Sequence, residues 1–135
     1  MAKKKKHVPK TFESTIRYTD ENGNNKTDIS ANLYHSMLIS KAFKNLTNRQ
    51  KVTYLYMKDL YYYVPSAKHP NGDNMYFYFN RHIWKDLYGT HTNGERVRSD
   101  IDALIKNGFI EEVENNKNLR QKNVYKYSDK WQHIK

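Results

Sequence analysis

The sequence of 135 residues predicts an α+β fold, and three observations support this prediction. Residues 93–107 repeat apolar side chains at helical spacing and are followed by a glycine and two short apolar segments. Two earlier segments, 47–63 and 81–88, show the same helical spacing. An aromatic run at 75–79, MYFYF, separates those two segments and has the composition of a strand. Three helices and three strands in this order predict a small sheet packed on a helical core.

The third helix carries signals for its start and its end. Thr92 and Glu95 have the spacing of a capping box, in which each side chain accepts the backbone N–H of the other residue. The apolar side chains share one helix face, which consists of Val97, Ile101, Leu104 and Ile105. Gly108 follows the last turn, where a left-handed residue is needed and glycine adopts that conformation without a Cβ penalty.

A hairpin is predicted after this helix. Phe109, Ile110 and Val113 begin a strand at 109–113, and the asparagine-rich residues 115–118 have turn chemistry. The returning strand covers 119–127 and contains Tyr125 and Tyr127. A helix, a glycine, a strand, a polar turn and a basic strand follow one another as in a recognition helix and its wing. We therefore predict a winged helix-turn-helix, with a three-helix core and a three-stranded sheet that includes the wing.

The first two helices have weaker but similar signals. Thr47 and Gln50 form a predicted capping box, and the helix ends before Pro65. We expect its buried face to consist of Val52, Leu55, Tyr56, Leu60 and Tyr63. After a loop at 65–74 and the aromatic strand, Asn80 is predicted to cap the second helix and Gly89 to end it. Its expected apolar face consists of Ile83, Trp84, Leu87 and Tyr88. Residues 89–93 would be the turn of the helix-turn-helix.

The N-terminal third divides into three parts. Residues 1–11 form a predicted disordered basic tail, whose five lysines Lys3, Lys4, Lys5, Lys6 and Lys10 carry half of the net charge of +10. Residues 12–30 predict an accessory hairpin with a turn at Glu21–Asn24. Residues 31–45 favour a mostly helical entry, with a short extended segment as the alternative. The DNA-binding winged-helix domain would cover residues 31–135.

Composition narrows the class of protein. The 24 basic residues against 14 acidic ones point to a polyanionic partner, most often nucleic acid. The absence of cysteine excludes disulfides and thiolate metal sites, and it fits a cytoplasmic location. No apolar run is long enough for a transmembrane helix, and no apolar stretch follows the basic N-terminus as in a secretory signal. We expect no contact with a membrane.

Several segments together carry a resemblance to a known group of proteins. They are LTNRQKVTYLYMKDLYY, FYFN, DIDALIKNGFIEEV and RQKNVYKYSDKW, within residues 31–131. This order resembles winged-helix proteins of Firmicutes plasmids, integrative conjugative elements and phages, and it is similar in plan to the N-terminal domain of RepA-type replication initiators. The resemblance implies binding at a replication or transfer origin, or transcription regulation. Such initiators carry a second domain after the winged helix and this chain stops at Lys135, so an accessory or regulatory role is expected.

Two surfaces are predicted to contact DNA, together with the lysine tail. On the recognition helix, Arg96 is placed to contact guanine and Asn93 adenine in the major groove. The other candidates on this helix are Arg98, Ser99 and Lys106. On the wing they are Lys117, Arg120, Lys122 and Lys126, of which the last three share a strand face. Two alternatives remain open: Arg96 pairs with Asp100 on the helix, and the wing lysines only protect an edge strand.

The twelve tyrosines and six histidines are candidates for other chemistry. Tyr76 and Tyr78 alternate with phenylalanines, so one face of their strand belongs to the core and the other packs at the sheet edge or stacks on unpaired bases. The histidines show no paired metal spacing, and His82 and His91 are expected on the surface. The sequence contains no phosphate-binding glycine loop. We expect no catalytic site, no metal and no cofactor.

Three functional hypotheses follow. The first is a double-stranded DNA-binding protein of a mobile genetic element, which acts beside a relaxase, a replication initiator or another origin-bound protein, or as a regulator. The second is a binder of single-stranded nucleic acid that uses the basic tail and stacking tyrosines. The third is a protein-interaction module. The sequence does not specify the target site or the oligomeric state.

Overall fold

The computed structural model of the chain describes residues 15–29, 31–63, 69–115 and 123–135. In this part of the chain the helices are α1 (His35–Leu38), α2 (Lys41–Lys44), α3 (Asn48–Tyr63), a π-helix (His82–Leu87) and α4 (Gly94–Lys106). The strands are β1 (Thr15–Thr19), β2 (Asn25–Ile29), β3 (Tyr76–Tyr78), β4 (Ile110–Glu114) and β5 (Val124–Tyr127). Short 3₁₀ turns cover Pro70–Gly72 and Lys130–His133. The predicted α+β class is confirmed.

The strands form two antiparallel sheets. β1 pairs with β2, and the second sheet has the order β3-β5-β4. In that sheet Phe77 lies opposite Tyr125, and Ile110 lies opposite Tyr127. The aromatic strand between the helices therefore joins the C-terminal hairpin in a three-stranded sheet, as the sequence predicted. The first half of the returning strand, residues 119–122, and most of the wing turn lie outside the described residues.

The core lies between the three-stranded sheet, α3 and α4. Phe109 is fully buried at its centre. Its ring centroid is 4.9 Å from that of Tyr54, 6.0 Å from that of Phe43 and 6.2 Å from that of Trp131. On the sheet, the rings of Phe77 and Tyr127 stack at 4.6 Å. Aromatic rings at these separations add about 0.5–1.5 kcal/mol per pair beyond the area that they bury.

Gly108 connects α4 to the sheet and to the C-terminus. Its φ of +81° confirms the predicted left-handed residue after the helix. A Cβ at this position would lie 2.5 Å from the backbone nitrogen of Trp131 and 2.6 Å from the carbonyl carbon of Lys130. The N–H of Trp131 donates to the carbonyl of Gly108 at 3.0 Å. The glycine is therefore required both by its conformation and by the close approach of the C-terminal turn.

The N-terminal hairpin is present as predicted. Its turn depends on Asp20, whose Oδ1 accepts the backbone N–H groups of Asn22 and Asn24 at 2.9 Å each. Gly23 has a φ of +79°, as the turn requires. Residues 1–14, with the lysine tail and Phe12, lie outside the described residues.

The predicted helix at 31–45 is instead two single turns, α1 and α2, joined at Ile39–Ser40. Ser40 separates them because its Oγ caps α2, accepting the N–H of Phe43 at 3.2 Å. Met37, Ala42 and Phe43 are buried, whereas Leu38 is exposed. Serine at such a position offers the backbone an alternative to continuing the first helix.

The capping box of α3 is confirmed, but the predicted buried face is wrong at Val52 and Leu55. The N–H of Gln50 donates to Thr47 Oγ1 at 3.3 Å, and the N–H of Thr47 donates to Gln50 Oε1 at 2.9 Å. Val52 and Leu55 are exposed. Leu60 is buried, as predicted, and Thr53, Tyr54 and Met57 are buried with it. Because α3 carries apolar side chains around most of its circumference, the position of the sheet and of α4 decides which face is covered.

The second predicted helix is a π-helix, in which the N–H of Tyr88 donates to the carbonyl of Ile83 at 3.0 Å. Asn80 does not cap it with its side chain: its Oδ1 is buried without a partner in the described structure, and only its carbonyl bonds to the helix. Trp84 is buried, but Leu87 is exposed, against the prediction. Gly89 ends the element with a φ of +62°, as predicted.

The bounds of α4 agree with the prediction, whereas its cap does not. Asn93, not Thr92, is the N-cap, and its Oδ1 accepts the N–H of Glu95 at 2.7 Å. The first intrahelical bond runs from Val97 N–H to the carbonyl of Asn93, so Thr92 lies one position too early to cap.

Candidate functional site

A buried charge cluster holds α4 in place. Asp100 is fully buried. Its carboxylate accepts two bonds from Arg49 Nε, at 3.0 and 3.1 Å, and one from Arg49 Nη2 at 3.0 Å. Nε2 of His91 donates to Asp100 Oδ2 at 2.6 Å, and the Thr53 hydroxyl lies 3.4 Å from the same oxygen. The cluster thereby joins α3, the turn before α4 and α4 itself.

The partners of Asp100 keep it ionised. Burial by itself would raise the pKa of Asp100, but hydrogen bonds and positive charge from Arg49 and His91 outweigh burial and lower that pKa below its ordinary value. Arg49 carries the complementary effect, since the carboxylate raises the pKa of its guanidinium. The hydrogen bonds to Asp100 compensate its buried charge, and removing one of its partners would be strongly destabilising.

This cluster corrects two predictions from the sequence. Asp100 does not pair with Arg96 on the helix surface but points inward to Arg49. His91 is buried between Asp100 and Thr90, whose Oγ1 lies 2.6 Å from its Nδ1, rather than on the surface. The burial of Asp100 was predictable from the sequence, because Asp100 lies three residues after Val97 and four before Leu104 and so falls within the apolar face of α4. His82 is exposed, as expected, and lies 3.3 Å from Asp86.

The opposite face of α4 is exposed. Val97, Ile101 and Leu104 are buried, as predicted, and Ile105 is half-buried. The exposed residues of the helix are Gly94, Glu95, Arg96, Ser99, Asp102 and Lys106. By helical spacing Ser99 and Lys106 lie near the middle of this face and Arg96 at its flank. Within the described chain, Arg96 and Lys106 have no ion-pair partner, so both charges remain available to a ligand.

Two other predicted contact residues have structural partners. Nη2 of Arg98 lies 2.8 Å from Asp102 Oδ1 and 2.6 Å from Glu112 Oε2, so this side chain connects α4 with β4. The side chain of Asn93 is engaged by the cap described above. Arg98 is thus neutralised by two carboxylates, and its removal would change the packing of the hairpin on α4.

The structure describes the predicted wing only in part. Lys126 is half-buried, opposite Glu111 on β4 and Tyr76 on β3, with its Nζ 5.6 Å from the centre of the Tyr76 ring. Of the other predicted contacts, Lys3, Lys4, Lys5, Lys6, Lys117, Arg120 and Lys122 lie outside the described residues. The structure therefore does not place the predicted basic face of the wing.

Two exposed cations of the π-helix that precedes α4 were not identified from the sequence. Arg81 and Lys85 are exposed at and within the π-helix that precedes the turn, and neither has an ion-pair partner in the described segments. Their sequence pattern contains only an ordinary mixture of charged and apolar residues, so no local signal distinguished them.

The described residues also bear on other classes of site. No three His, Cys, Asp or Glu side chains among them are close enough together to hold a metal ion. None of the helices in this part of the chain is both long and apolar enough to span a bilayer.

The described residues therefore offer the exposed face of α4 as a candidate surface. Comparison of the chain with protein-family models, with curated proteins and with solved structures finds no significant match.

Proposed function

We propose that this chain is a winged helix-turn-helix protein that binds double-stranded DNA with α4 as its recognition helix. The observation that carries the proposal is that α4 is anchored along one face and exposed along the other, between a turn and a three-stranded sheet. A helix held in this way projects from the surface, as insertion into the major groove requires.

The N-terminal half of α4 supplies the base contacts. Arg96 lies in the first turn of the helix, is exposed and has no carboxylate partner in the described structure. An arginine in such a position forms two hydrogen bonds with O6 and N7 of guanine. Ser99 lies one turn further along the helix and is exposed, so that its hydroxyl can donate to a base or a phosphate.

In this proposal the phosphate contacts come from the end of α4 and from cations outside that helix. Glu95 and Asp102 are exposed on α4 and offset part of its positive charge. Lys106, at the end of α4, and Arg81 and Lys85, near the π-helix, are exposed. Together with the lysines of residues 1–10 and of the wing, these side chains would contact the phosphates of the DNA backbone, in keeping with the net charge of +10.

The cellular role rests on the sequence resemblance. We infer an accessory factor at a replication or transfer origin of a mobile element, or a transcription regulator, in the cytoplasm. A relaxase, a replication initiator or another origin-bound protein would be its partner. No enzymatic activity, metal or cofactor forms part of the proposal.

The test compares Arg96→Ala with Arg17→Ala. Arg17 lies exposed on β1 and its loss changes the net charge equally, so the pair separates a specific contact from general electrostatics. Duplexes selected from a random pool of roughly one to two helical turns would be titrated by fluorescence anisotropy at roughly 50 and 200 mM salt. Arg96→Ala should weaken binding to the selected duplex about 10- to 100-fold and relax its sequence preference.

Arg17→Ala should reduce the affinity for the selected duplex only by the small amount expected for the loss of one distant charge. Equal losses in both variants would remove α4 from the interface. Single strands that bind as well as duplexes, and that lose as much affinity in Arg96→Ala, would contradict the duplex proposal as a whole. Loss of all binding at the higher salt would indicate only non-specific attraction.

A further inference from the structure

A cavity of about 530 Å³ is lined by residues at and before α1, the second half of α3, Met75, strands β4 and β5, and the C-terminal turn. None of its lining residues belongs to α4, but Lys126, one of the predicted wing contacts, lies on its wall. Cavities of about 300–1,000 Å³ are the usual size for small ligands. The cavity is formed by five segments that are distant in sequence, and no local pattern predicted it.

Aromatic rings form much of the wall. Tyr61 and Tyr62 lie edge to face with their centroids 4.9 Å apart, and Tyr61 also packs on Tyr127 at 5.8 Å. Tyr34 lines the same cavity and is 70% exposed, the most exposed large apolar side chain in the described chain. Trp131 lines it from the C-terminal turn and has one side of its ring against Phe109. These rings are at least partly exposed to solvent and offer flat surfaces on which a planar ligand can stack.

Lys58 is one of three lysines on the cavity wall, together with Lys126 and Lys130. Lys58 is half-buried and its Nζ lies 5.8 Å from the centre of the Tyr62 ring, but no carboxylate of the described residues pairs with it. Burial lowers the pKa of this ammonium group. Lys130 on the same wall differs, because its Nζ is 2.6 Å from Glu111 Oε1. A partly desolvated ammonium without a partner favours an anion.

We propose that this cavity binds a nucleotide, with the base stacked on Tyr34, Tyr61 or Tyr62 and the phosphate at Lys58. A nucleotide joins a planar aromatic group to an anion, which is the combination that the wall provides. Base stacking tolerates any sequence because every base has a flat face. The nucleotide is either an unpaired residue of a nucleic-acid strand or a free mononucleotide. This site goes beyond the proposed duplex interface and stands without it.

Two lysines of α3 provide a matched pair of variants. Lys51, like Lys58, is half-buried and lies over an aromatic ring, 5.3 Å from the centre of Phe43, but it does not line the cavity. Lys58→Met and Lys51→Met therefore remove the same charge from the same helix. Methionine at position 58 avoids the cost of burying an ammonium group, so Lys58→Met should fold at least as stably as the parent chain.

The experiment titrates a short fluorescein-labelled oligothymidylate strand against the full chain by fluorescence anisotropy. Unlabelled thymidine monophosphate and inorganic phosphate serve as competitors. Lys58→Met should weaken strand binding about tenfold, since it removes a hydrogen-bonded charge. Tyr34→Ala should also weaken it about tenfold through lost stacking. Lys51→Met should leave strand binding unchanged, and Lys58→Met should leave binding to the selected duplex unchanged.

The competitors distinguish the sources of the nucleotide. Displacement by the monophosphate supports a free nucleotide as ligand, and failure to displace the strand supports an unpaired residue of a strand. Displacement by inorganic phosphate at the same concentration as the mononucleotide would overturn base recognition. Equal losses in Lys58→Met and Lys51→Met, or no strand binding by the parent chain, would overturn the site, whatever the duplex experiment shows.

Discussion

Asp100→Ala tests whether the buried charge cluster, rather than apolar packing alone, sets the position of α4. The substitution removes the acceptor shared by Arg49 and His91. We expect a folded chain of lower stability whose affinity for the selected duplex also falls, because the turn before α4 loses its connection to α3.

The magnitude follows from the surroundings of each partner. The His91 side chain is 2% exposed and would keep a buried N–H without an acceptor, which costs about 1–3 kcal/mol. The Arg49 side chain is 46% exposed and can turn into water, so its loss of the carboxylate adds less. Breaking a buried pair from one side costs about 3–5 kcal/mol, and the half-exposed arginine places this case at the lower end, about 3 kcal/mol.

Urea denaturation followed by circular dichroism measures the effect, with Asp102→Ala as the control. Asp102 lies two residues away on α4 and pairs only with Arg98 across an exposed surface. Exposed pairs of this kind contribute about 0–1 kcal/mol, and both variants gain the same helix propensity from alanine. Equal stability of the two variants, within about 0.5 kcal/mol, would refute the reasoning that the cluster anchors α4.

Three further predictions concern local features. Because the folded-state pKa of Asp100 lies below 3.8, its contribution is complete above the pKa of the unfolded chain and is lost as the pH falls through the folded value. Acid titration below about pH 4 should therefore destabilise the parent chain more steeply than Asp100→Ala, and parallel curves would speak against this. Gly108→Ala should abolish cooperative thermal unfolding, because its Cβ would lie 2.5 Å from a backbone nitrogen. Gly94→Ala is the control, because nothing lies within 4 Å of the added Cβ, and it should unfold like the parent. Similar thermal unfolding curves for the two alanine variants would contradict the steric argument. Thr47→Ala should cost about 1 kcal/mol in urea denaturation, and no loss would mean that the cap bond does not contribute.

The sequence alone predicted those structural features whose physical cause lies among neighbouring residues. The capping box at Thr47, the left-handed Gly108 and the asparagine-glycine turn of the first hairpin were all predicted, because neighbouring residues alone satisfy them. The alternation of buried phenylalanines with half-buried tyrosines in β3 was also predictable, since a strand has a period of two. These features determined the number, order and type of most elements.

Tertiary structure decided which face of an element is covered. On α3, Val52 and Leu55 are as apolar as Met57 and Leu60, yet only the latter two meet the core, because the sheet and α4 lie on that side. No spacing rule distinguishes two apolar faces on one helix.

The candidate sites show the same division. The exposed face of α4 follows from its helical period, so that Arg96, Ser99 and Lys106 were identified from the sequence alone. The pairing of Asp100 with Arg49 joins residues 51 positions apart, and the cavity around Lys58 joins five distant segments. The sequence by itself determined which elements form and which charges they carry. Only the packing of those elements decided which charges meet, because contacts between distant segments depend on the arrangement of the whole chain rather than on any local period.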